Sequence, residues 1–64
     1  MSEDLLVYLS KKIQEEVEVI KYDLALGKAK DHGDYKHACG VVRGLLVANN
    51  ILMETSERMK KDDE

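Results

Sequence analysis

The stretch Cys39–Met53, CGVVRGLLVANNILM, constrains the fold more than any other part of the chain. Tyr35, Ala38, Val42, Leu45, Asn49, Leu52, Ser56 and Met59 follow an alternating three-four spacing, the heptad seam of a helix that packs along another helix. Val41, Leu46, Ala48, Ile51 and Met53 widen the apolar arc on both sides of that seam. With Gly40 and Gly44 included, the arc covers roughly two-thirds of the helix circumference, against a stripe a little over about 100° wide on an ordinary surface helix. One edge alone is polar, carrying Lys36, Arg43, Asn50, Glu54 and Glu57. A helix this apolar needs more than one neighbour.

The first neighbour is upstream. Leu6, Leu9, Ile13, Val17, Ile20 and Leu24 recur at helical spacing and form one narrow stripe. Lys11, Lys12, Glu15, Glu16 and Lys21 fall off it. Ser2 suits an N-cap, and Glu3 and Asp4 in the first turn suit the helix dipole. Gly27 stands where the stripe stops and suits a left-handed C-cap, with Lys28 and Lys30 favourably placed at the helix end. Asp31 suits the next N-cap, and Asp34 occupies the capping-box position. The sequence therefore predicts helix one over about 3–26, a turn over about 27–31, and helix two over about 32–60, with Lys60–Glu64 frayed; the alternative puts the turn at His32–Gly33, with helix one running through Lys30. Glu54–Arg58 and Glu57–Lys61 are expected ion pairs at one-turn spacing. So short a turn forces an antiparallel hairpin, and the fold class is all-α.

A hairpin of 64 residues is small enough to be marginal alone. Such scaffolds draw on disulfides, a metal or association with other chains. Cys39 is the single cysteine, which excludes a disulfide within the chain. His32, His37 and Cys39 lie close in sequence but lack the paired spacing of a zinc site, so neither a metal nor a cofactor is expected. Oligomerisation or docking onto a partner remains, and the expected architecture is a dimeric four-helix bundle or a larger helical oligomer.

The residues expected at that interface are Gly40, Val41, Gly44, Leu45, Ala48, Ile51 and Leu52. Gly40, Gly44 and Ala48 lie four apart and make a shallow ridge that another helix can approach closely. Each glycine costs about 1 kcal/mol relative to alanine inside a helix, so a packing role is the natural reading. Tyr8, Val19, Tyr22 and Leu26 form a second, weaker patch, which is either scattered surface or a further contact. Arg43, embedded in the apolar run, is either a snorkelling surface residue or a polar anchor for an acidic partner. Asn49 on the seam either sets register as a buried polar group or turns toward water.

The net charge of −3 argues against binding a nucleic-acid backbone. The acidic start MSEDLL is unlike a signal peptide, and the apolar runs are shorter than the ~20 residues of a membrane span. No phosphate-cradling loop or nucleophile–base pair with a pocket is evident, so an enzyme is not expected. The location expected is the cytosol, or an assembly supplied from it.

The segment Asp23–Leu46, DLALGKAKDHGDYKHACGVVRGLL, resembles small helical-hairpin proteins of tailed bacteriophages, particularly short-tailed ones. The features in common are Leu24 and Leu26 before Gly27, Tyr35 opening helix two, and Gly40, Gly44 and Leu45 in a GxxxGL core. The resemblance implies a non-enzymatic accessory protein acting by protein–protein contact in virion structure or assembly, within the host cytoplasm or the particle. Its partners would be other copies of itself, a phage structural protein or a host protein. The alternative is an inhibitor that blocks a host factor, or a protein that sequesters a small signalling molecule between subunits.

Overall fold

The computed structural model describes residues 3–63. It contains two helices, α1 (Glu3–Ala25) and α2 (His32–Asp63), packed against each other as a hairpin. The particle is a rod of 50 × 15 × 14 Å. Its radius of gyration is 14.9 Å, against about 10.7 Å for a compact domain of this length. The Ser2 cap expected from the sequence lies outside the described residues.

The connection is built from local chemistry. Gly27 adopts φ 77°, the left-handed conformation in which glycine alone carries no Cβ penalty. The Gly27 N–H donates to the Leu24 carbonyl at 3.0 Å and the Lys28 N–H to the Asp23 carbonyl at 3.1 Å. These two bonds define a Schellman cap. Such caps commonly add an apolar contact; here an ion pair, Lys28 Nζ to Asp23 Oδ1 at 3.2 Å, occupies that place.

At the start of α2 the Asp31 carboxylate accepts from the Asp34 N–H at 2.8 Å. The reciprocal bond of a capping box is displaced. Asp34 accepts from the Lys30 N–H at 3.1 Å, one residue before the cap. A Cβ on Gly33 would sit 3.3 Å from Asp31 Oδ1, so a side chain there would push on the capping carboxylate.

The seam follows a strict heptad. On α2 it uses Ala38, Val42, Leu45, Asn49, Leu52, Ser56 and Met59, all buried or half-buried. On α1 it uses Glu3, Leu6, Ser10, Ile13, Val17, Ile20 and Leu24. Leu9, expected on the stripe, is displaced to its flank at 36% exposed, and Ser10 takes its place at 2%. The reason is the partner: a helix repeating every 3.5 residues holds its neighbour to the same phase. The antiparallel register sets Ser10 beside Asn49 and Met53, and Glu3 beside Lys60. Tyr35, expected as the next seam residue, is 49% exposed because it stands in the first turn of α2, beside the connection that follows the end of α1 at Ala25.

At the open end Lys60 Nζ meets Glu3 Oε1 at 3.4 Å, and α2 remains helical through Asp63 rather than fraying from Lys60. Neither Glu54–Arg58 nor Glu57–Lys61 is among the ion pairs of the described residues. Glu54 accepts from Asn50 Nδ2 at 3.4 Å instead.

Candidate interaction site

One polar layer interrupts the seam. Ser10 donates its hydroxyl to Asn49 Oδ1 and accepts from Gln14 Nε2 at 3.0 Å. Met53 Sδ lies 3.5 Å from the same hydroxyl. Of the two readings left open for Asn49, the bonded seam residue is the one observed: half-buried and tied across the helices. Among the described residues no buried side-chain polar atom lacks a partner. The layer thus satisfies its own polar groups while breaking the apolar contact between helices.

The apolar core is very small. Among the described residues, the buried hydrophobic side chains are Leu6 and Val17. Among the described residues thirteen large hydrophobic side chains are exposed, a number that one hairpin has no surface left to cover. A folded chain of 7.3 kDa would expose about 4,200 Å² by size scaling, whereas this one exposes 5153 Å².

The heptad sorts the exposed side chains onto two flanks of the hairpin. One flank is a trough of about 640 Å³ walled by Val17, Leu24, Cys39, Val42 and Leu46, with Gln14, Glu18, Lys21 and Asn49 at its polar positions. Arg43 borders its outer side in α2. Arg43 is exposed and makes no ion pair among the described residues. The opposite flank carries Leu5, Leu9 and Val19 from α1 and Val41, Gly44, Ala48 and Ile51 from α2, by their helical positions. Near the turn it ends in a shallow polar depression holding Asp23, Lys28, Asp34 and His37.

The expected interface residues divide on this frame. Leu45 and Leu52 belong to the seam and are engaged by α1. Val41, Gly44, Ala48 and Ile51 share the flank opposite the trough, and Val19 and Leu26 of the second patch fall on that same side. Tyr8, Tyr22 and Gly40 point away from the seam, on the backs of their helices. A Cβ on Gly40 or Gly44 would meet nothing within 4 Å, so packing within the hairpin requires neither glycine.

The residues capable of chemistry are dispersed. His37 lies on the opposite side from Cys39, and His32 stacks on Tyr35 with ring centroids 6.3 Å apart. The Tyr35 phenol is held above its ordinary range, first by a hydrogen bond with the Cys39 thiol and then by that group's charge. Among the described residues no group of His, Cys, Asp or Glu is arranged to hold a metal ion. No described helix is long and apolar enough to cross a membrane.

Comparison of the chain with protein-family models, with curated proteins and with solved structures found no match.

Proposed function

We propose that this chain is a non-enzymatic accessory protein of a tailed bacteriophage that works by protein–protein contact, in virion structure or assembly. The observation that carries the contact role is the imbalance, among the described residues, between two buried hydrophobic side chains and thirteen exposed large ones. A hairpin so exposed is one part of an assembly, with its own copies as the first partner and a phage structural protein or a host protein as the next. The phage setting rests on the resemblance over Asp23–Leu46. Mass spectrometry of purified particles of the encoding phage should find the chain at a stoichiometric level; its absence from particles would overturn the virion role.

A second reading draws on the trough beside Cys39. At about 640 Å³ it has the size of a small-molecule site. A sequestering protein would close such a trough around its ligand between subunits. Extracting purified protein from infected cells and identifying small molecules that co-purify tests this reading, and an empty extract refutes it.

A further inference from the structure

We infer that the flank opposite the trough is the face by which two copies of this chain associate, leaving the Cys39 trough outside the contact. The inference deepens the contact role proposed above and rests on it. Area argues for a second copy as the occupant. Two separate hairpins expose twice 5153 Å², whereas one compact particle of that combined mass would expose about 6,900 Å². The difference, about 3,400 Å², lies within the range of obligate homodimer interfaces.

The choice of face follows from what flanks each side. Beyond the trough the next row of helical positions is polar on both helices: Lys11 and Glu18 on α1, Lys36, Arg43, Asn50 and Glu57 on α2. That row reads as a solvated edge. On the opposite flank the outer row carries Leu5, Val19 and Leu26 on α1 and Gly44 and Ile51 on α2, with His37 near the turn and Arg58 near the open end. Lys12, which shares the row, leans back over the Tyr8 ring at 5.5 Å and pairs with Glu15 at 3.4 Å, away from the face. Glu16 is the acidic group left in mid-face, with no ion pair among the described residues.

A two-fold axis across the middle of this face, at the level of Ala48, satisfies these features together. It sets α2 antiparallel on the second α2, with Gly44 of one copy opposite Ile51 of the other. It also sets Glu16 of one copy near the level of Lys12 of the other, whose ammonium exchanges Glu15 for Glu16 on association. The open space over Gly44 then receives a side chain that no part of the same hairpin supplies.

The test uses the full chain and a matched pair of glycines. Both have open space around them within the hairpin, so leucine at either is accommodated by the isolated fold. Sedimentation equilibrium should show the wild type and Gly40→Leu at twice 7.3 kDa at tens of micromolar. Gly44→Leu should weaken the dimer at least tenfold. In the wild-type dimer Cys39 should react with a disulfide reagent within a few-fold of its rate in urea. A folded wild-type monomer, dimer loss in Gly40→Leu in place of Gly44→Leu, or a Cys39 thiol protected a hundredfold would each overturn the assignment. Particle mass spectrometry separates this face from the virion role: a monomer found in virions sinks this face and keeps the virion role, and a dimer absent from virions keeps this face and sinks the virion role.

Discussion

The bond between Ser10 and Asn49 gives the sharpest test of how the two helices find their register. Ser10 is 2% exposed and has Asn49 and Gln14 as hydrogen-bonding partners. Replacing Asn49 by alanine leaves a buried hydroxyl with Gln14 and a weak sulfur acceptor, a loss of about 1 kcal/mol. Ser10→Ala costs about the same, since the half-buried Asn49 amide can turn to water. Removing both deletes one shared interaction, not two. The double variant should therefore fall short of the summed losses by about 0.5–1 kcal/mol, as coupled neighbours do. Urea unfolding followed by far-UV circular dichroism at one fixed protein concentration supplies the cycle, since association would shift apparent stability. Additivity within about 0.3 kcal/mol would refute the bond as a cross-seam link.

Three further outcomes follow from the same geometry. Pairing Ser10→Leu with Asn49→Leu should raise the midpoint of unfolding yet broaden the amide spectrum, because the group that opposes slipped registers is gone; an unchanged single set of peaks would contradict this. Gly27→Ala should destabilise by about 1–2 kcal/mol through the left-handed backbone there, read as a lower urea midpoint. Gly40→Ala should stabilise by up to about 1 kcal/mol from helix propensity alone, since the added methyl meets nothing; a loss would mean that a second chain covers that back as well.

Both helices, their antiparallel packing, and the roles of Gly27 and Asp31 were legible in the sequence because each is a local signal: a period, a left-handed glycine, a cap. What the sequence hid were consequences of pairing. Leu9 looks like a stripe residue when α1 is read alone, since a leucine outweighs a serine in any hydrophobic pattern. The alternating three-four spacing of α2 carries the correct phase, and imposing it on α1 selects Ser10. Tyr35 fits the seam by spacing, but its exposure depends on where the other helix stops, which no pattern within α2 reveals. The glycines at 40 and 44 are alike in sequence, and their positions around the helix separate them. Nothing in the structure explains Gly40.

The two-residue core has a consequence for how long such a chain survives. A hairpin alone has little to keep it shut, and an opened chain is a protease substrate. Any binder present at a hundred times its dissociation constant adds about 2.7 kcal/mol to the folded state. That slows opening-dependent cleavage by roughly a hundredfold when closing outpaces cutting. On the proposed self-association, copies made below the association threshold are removed, and copies made above it protect one another. On that proposal the sparse interior acts as a quorum on the protein's own abundance: accumulation is steep once synthesis passes a set level, and unassembled surplus clears itself.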